Sequence, residues 1–146
     1  MKRIEELEDF AYSQNYLVQK IHVNSNIKGC CLTNHKISAI TVNISVIKNS
    51  ADELCVLAEE IGHLETETTL PILDYIDPNF KKWLKRKNEI LAMRWAIDRI
   101  LPFNKLEKAL REHENEWEAT EELDVTIEFF RDAVEYYRRK GLMEAC

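Results

Sequence analysis

Glycine and proline are scarce, with three of each in 146 residues. That is too few for the closely spaced turns of an all-β barrel or sandwich. No stretch approaches the roughly 18 apolar residues that a membrane-crossing helix needs. The amino terminus, MKRIEELEDFAYSQNYLVQK, also lacks the apolar segment of a secretory leader. These two absences set the expectation of a cytoplasmic protein without a membrane span. Cys30, Cys31, Cys55 and Cys146 contain no CxxC spacing, which excludes a Cys-rich zinc finger and predicts reduced thiols packing as small apolar groups. Positive charge is in deficit, 20 Lys and Arg against 26 Asp and Glu for a net charge of -6, and this argues against direct nucleic-acid binding or a polybasic membrane anchor.

What is present fits one folded domain over residues 1–146, since 45% hydrophobic and 32% charged residues suffice for a single core. Ile4, Leu7 and Ala11 recur at helical spacing, predicting a first helix over about 2–18 within an N-terminal unit 1–20. Residues 21–48 read as a small sheet. Ile21 and Val23 suggest a short strand, Gly29 a bend, and Ile40, Val42 and Ile44 alternate with Thr41 and Asn43. Ser50-Ala51-Asp52-Glu53 reads as a capping box opening a helix over 50–66. Asp77-Pro78 opens another over 78–101, ending before Pro102. Shorter helices fill 103–141, among them Trp117–Leu123 and Thr126–Lys140 with Gly141 as a stop. Their joint at Asp124-Val125 resembles a helix-turn-helix, but the mixed charge of Arg131, Arg138 and Arg139 against Glu128, Asp132 and Glu135 favours packing over DNA reading. Trp83, Trp95 and Trp117 read as core or interface anchors. The predicted class is α+β, mostly helical.

Two places carry candidate chemistry. Leu54, Leu57, Ile61 and Leu64 form an apolar stripe, and Glu59 and His63 fall together opposite it with Glu60 beside them. Gly62 costs about 1 kcal/mol relative to Ala inside a helix, so its presence predicts the close approach of a backbone or ligand. In the next predicted helix Glu89 sits on the centre line of the face made by Ala92, Met93, Ala96 and Ile100. A carboxylate buried there needs a cation or strong donors, unless Lys82 and Lys85 mark where that face reaches water. Glu59-Glu60-Ile61-Gly62-His63 is HExxH with its first His replaced by Glu. Residues i and i+4 of a helix can share one metal ion, while a Glu at i+1 can serve as general base. If the two helices pack together, Glu59, His63 and Glu89 converge as three ligands.

The segment Cys55–His63 resembles the active-site helix of the ImmA/IrrE-type metallopeptidases, particularly their short prophage and mobile-element forms. The run Glu89-Ile90-Leu91-Ala92-Met93-Arg94-Trp95-Ala96, followed by Ile100-Leu101-Pro102, is similar to that family's second motif. The resemblance implies a zincin-like domain and a hydrolase, a metalloprotease acting on a protein substrate, a DNA-binding repressor. It also implies Glu60 as catalytic general base and His63 and Glu89 as metal ligands, with Glu59 in the place of the first ligand His. The implied cofactor is Zn2+. An oxygen-rich ligand set makes Mn2+ or Fe2+ an alternative. Two carboxylates and a neutral imidazole cancel the ion's charge, which predicts weaker activation of water than two His and one Glu would give.

Two other readings stand beside this one: a family member that binds its partner without cutting it, and a helix-turn-helix transcriptional regulator. Tyr75 and His113 are both available to stabilise an oxyanion, and nothing in the sequence selects between them. His22, His35 and His113 otherwise read as surface or structural.

Overall fold

The computed structural model describes residues 2–34, 36–68 and 77–143. Among them the order is α1 (Lys2–Ser13), β1 (Tyr16–Ile21), β2 (Gly29–Thr33), β3 (Ser38–Asn43), α2 (Ser50–Glu65), α3 (Pro78–Ile100), α4 (Phe103–Glu112), α5 (Glu116–Leu123) and α6 (Ile127–Arg139). The architecture is α+β, as expected. No helix of the described residues is long and apolar enough to cross a membrane.

The first helix is shorter than its periodicity suggests. It stops at Ser13, and Asn15 takes a left-handed conformation (φ 65°) that turns the chain into β1. Residues 16–20, expected to be helical, are therefore a strand, whereas Val23 lies beyond its end. The sheet order is β1-β3-β2, with β1 parallel and β2 antiparallel to β3. Central β3 buries Ile40 and Val42. Asn43 follows them and donates from Nδ2 to the carbonyls of Val23, Ser25 and Ile27, tying down the loop that leads to β2. Gly29 is the first residue of β2 rather than a bend. A Cβ there would lie 2.8 Å from Val56 Cγ1 and 3.1 Å from Glu60 Cγ, so the glycine lets the strand lie against α2.

Helix α2 runs through the middle of the molecule, touching α1, the sheet and α3. Its cap is Asn49, one residue earlier than predicted, whose Oδ1 accepts from Asp52 N at 2.9 Å. Ser50 instead donates to Asp124, and Glu53 pairs with Lys20 at 3.1 Å. Both sides of α2 are covered. Leu54, Leu57 and Ile61 face the core, while Gly62 and His63 are buried on the side that α3 closes. A Cβ on Gly62 would meet Ala92 O at 2.5 Å, which is the backbone approach that the mid-helix glycine predicts.

Helix α3 starts as expected, with Asp77 Oδ1 accepting from Asn79 N and Phe80 N and Pro78 in the first turn. It buries Ala92, Ala96, Ile97 and Ile100. Helices α5 and α6 meet at Asp124 (φ 52°), and Gly141 (φ 78°) follows the end of α6. Phe129, Phe130, Ala133 and Tyr137 anchor α6 in the core, while Arg131 pairs with Glu116, and Arg138 and Arg139 with Glu135. Trp95 packs against the core as expected. Trp83 and Trp117 are 55% and 66% exposed, so of the two roles expected for them, core or interface anchor, the core one is excluded. Cys55 is buried beside Thr126, Cys31 is half-buried and Cys30 is exposed, so the expectation of packed thiols holds for Cys55 and not for Cys30. Cys146 lies outside the described residues.

Candidate metal centre

The site forms where α2, α3 and the edge strand β2 meet. The Gly62–Ala92 approach brings the two helices together beside His63 and one turn from Glu59 and Glu89. One donor atom each from Glu59, His63 and Glu89 then lies within 4.8 Å of the others. His63 Nε2 is 3.4 Å from Glu89 Oε2. Donors about 2.1 Å from a tetrahedral ion are about 3.4 Å apart, so this pair already has the spacing of two zinc ligands. Two carboxylates and an imidazole are a chemically suitable set for Zn2+, Mn2+ or Fe2+.

His63 is buried, and a chain of hydroxyls fixes its ring. Thr66 Oγ1 donates to Gly62 O at 2.6 Å, because a carbonyl can only accept. Having used its one proton, Thr66 accepts from Thr68 Oγ1 at 2.8 Å. Thr68 in turn accepts from His63 Nδ1 at 3.2 Å. In the neutral ring the proton therefore stands on Nδ1, and Nε2 presents a lone pair to Glu89. Two acceptors facing one another need a cation or a proton between them. Nothing in the spacing of Thr66 and Thr68 announces this role; it follows from the turn that ends α2.

Glu59 and Glu60 are half-buried neighbours that line different clefts. Burial pushes the Glu59 carboxyl up to about 8, with a further rise from its hydrogen bond to Glu89 and the charges of Glu89, Glu60 and Asp132. Glu59 thus holds a proton to higher pH than an ordinary carboxyl, and a metal ion would displace it. Burial also raises Glu60, against the opposing effects of His63 and the Cys31 thiol. The Cys31 thiol is itself pushed up to about 12 by burial and by Glu60, so it remains protonated.

Of the two readings of Glu89, the structure agrees with the one in which its face reaches water near Lys85. Glu89 is not a buried carboxylate; its side chain is 46% exposed and divides two clefts, because α3 leaves the core at this turn. One cleft, about 210 Å³, is lined by Gly29, Cys31, Glu60, His63, Asn88 and Glu89 among others. The other, about 370 Å³, has Glu59 and Glu89 beside an apolar floor of Ile90, Met93 and Ile97. Glu60 and His63 therefore share one cleft and Glu59 lines the other, with Glu89 common to both. Lys85, read as a marker of the water boundary, lines the smaller cleft.

His22 and His113 are not brought here. His22 contacts Ser45, and His113 sits at the end of α4 against Glu122 and Glu118. Glu112, His113 and Glu122 also bring donor atoms within 4.8 Å of one another, around a largely exposed ion pair. His35 and Tyr75 lie outside the described residues, so of the two candidate oxyanion partners only His113 is placed, and it is engaged elsewhere. Sequence reasoning missed Cys31, Thr68 and Asn88; only Asn88, beside Glu89 on the same helix, stood close to a residue already singled out. Compared with known proteins, the chain matches no family model, no curated protein and no solved structure.

Proposed function

We propose that this protein is a cytoplasmic, metal-dependent endopeptidase of the ImmA/IrrE type, acting on a protein substrate that is a DNA-binding repressor. The observation that carries the reading is the convergence of Glu59, His63 and Glu89 within 4.8 Å, with Glu60 in the same cleft as His63. The substrate and the cellular setting rest on the resemblance of the two sequence motifs alone.

A divalent ion held by these three residues would supply the Lewis acidity that polarises a peptide carbonyl and acidifies water. The protein's own groups do the rest. Thr68 holds the His63 ring so that Nε2 is the free nitrogen. Glu60, next to the ligands yet not one of them, accepts the proton of the attacking water and delivers it to the leaving amine. Its raised pKa suits both halves of that transfer, since a carboxyl poised nearer neutrality gives up a proton as readily as it takes one.

Glu59 in place of an imidazole favours a second reading, in which the fold engages its partner without cutting it. A protonated Glu59 is a poor ligand, and once ionised it neutralises the ion that Glu89 already half neutralises. Incubation with a co-encoded repressor, with and without zinc or manganese, separates the two. Metal-dependent cleavage that falls about a hundredfold or more in Glu60→Gln is the expected result. Stable binding with no cleavage at any metal concentration would assign the protein to the second reading.

A further inference from the structure

The first half of α3 differs from the rest of the molecule in charge and exposure. Lys81, Lys82, Lys85, Arg86 and Lys87 place five cations in seven positions, with no acidic residue between Asp77 and Glu89, in a chain of net charge -6. Residues 78–87 are all exposed apart from half-buried Leu84. None of the five cations pairs with a carboxylate among the described residues, although Lys20, Lys28, Arg131 and Arg139 all do. Phe80 and Trp83 are both more than half exposed, with ring centroids 5.8 Å apart, and the Lys87 ammonium lies 5.4 Å from the Trp83 ring.

Folding does not account for this composition. Lys81 and Lys85, and Lys82 and Arg86, are like charges one turn apart, which destabilises a helix. Cations near a helix amino terminus also face the positive end of its dipole. Two aromatic rings left in water contribute little burial. Their placement, however, leads to the metal centre. Lys85 lines the cleft of Glu60 and His63, Arg86 lines the cleft of Glu59, and Glu89 between those clefts is on the same helix.

We infer that the amino-terminal half of α3 is a docking surface for an acidic polypeptide segment, its carboxylates against Lys81, Lys82, Lys85 and Arg86 and an apolar side chain over Phe80 and Trp83. The consequence for cleavage rests on the peptidase reading: a substrate docked in this way carries acidic residues within a few positions of the scissile bond. Charge complementarity selects this occupant. A phosphate backbone or an anionic membrane plane is negative along its whole length and meets the acidic remainder of a chain of net charge -6 as well as these cations. A short peptide can set its few carboxylates against the cations and leave a neutral stretch at the clefts of Glu59, Glu60 and Glu89.

The test uses metal-free Glu60→Gln protein, so that binding is read without hydrolysis. Four probes are titrated at physiological salt: a fluorescein-labelled peptide of Glu with Leu and Phe, its Gln-for-Glu counterpart, an oligothymidylate of equal charge, and phosphatidylglycerol vesicles. The Glu peptide should bind at least about tenfold more tightly than the Gln peptide or the oligothymidylate, and Lys81→Glu/Lys82→Glu should lose about tenfold. Circular dichroism and the thermal midpoint report whether that variant folds. Should it not, Trp83→Ala provides the second measurement, with a severalfold loss and an unchanged salt dependence. Equal binding of the Glu and Gln peptides, or stronger binding of the oligothymidylate or vesicles, overturns the inference. Lost docking with cleavage retained removes the docking surface alone; docking without cleavage removes only the peptidase.

Discussion

At His63 the proton inventory of two threonines decides which ring nitrogen is free. Thr68→Val keeps the shape and removes the acceptor, so the neutral ring should lose its Nδ1–H preference in nitrogen NMR shifts. Metal affinity should fall by roughly 10- to 100-fold, the usual effect of losing an outer partner of a ligand His, and Thr68→Ser should restore both. Glu59 gives a second residue-scale prediction. Its folded-state pKa of about 8 stands above the ordinary 4.5, so the folded protein binds the extra proton between those values. Its contribution to stability is full below about pH 4.5 and is lost as pH rises through about 8. Urea denaturation of metal-free protein at pH 5 and pH 8 should show this decline, and Glu59→Gln should flatten it. Metal binding should strengthen over the same interval, because the ion competes with that proton. The pair Glu59 and His63 was legible because i and i+4 project together on a helix. Thr68 was not, because its contact with His63 depends on how the chain turns after Glu65.

Among elements, the contact of α2 with α3 sets the site. Gly62→Ala gains about 1 kcal/mol of helix propensity but drives a methyl into Ala92 O, an overlap of the kind that costs about 1–3 kcal/mol. A net loss of about 1 kcal/mol is expected, seen as a fall of roughly 2–4 °C in thermal midpoint. Helix α3 was readable from its Asp77-Pro78 start and α6 from its Gly141 stop, whereas α2 was readable from its apolar stripe but not from its cap, which is Asn49 rather than Ser50. The strands were less so. Residues 16–20 continue the polar-apolar spacing of α1 and register as a strand only because Asn15 turns the chain onto β3. Gly29 read as a bend because a glycine required by packing against Val56 and Glu60 cannot be told from a turn glycine without the partner helix. For Glu89 the sequence left the depth open between a buried carboxylate and a face reaching water, and the exposure of α3 before that turn decides for the second.

At the level of the whole molecule, the candidate ligands come from two helices separated in sequence by the segment 66–77, so a bound ion ties tertiary packing to ligand binding. Metal should therefore raise the thermal midpoint. A hundredfold excess over Kd contributes about 2.7 kcal/mol, or roughly 5–11 °C for a chain of this size. EDTA should reverse the shift, and Glu89→Ala should abolish it while leaving the metal-free midpoint near that of the wild type, because this side chain is partly exposed. The glycine at the helix crossing has one more effect. Glu59 and His63 flank Gly62 on α2, and Glu89 stands one turn before Ala92 on α3, so the crossing acts as the pivot of a caliper whose jaws are the three donors. A methyl inserted at that pivot widens the jaws. The small ion Zn2+ should then be released before the larger Mn2+, so that a single buried hydrogen atom would set the radius of an ion held there.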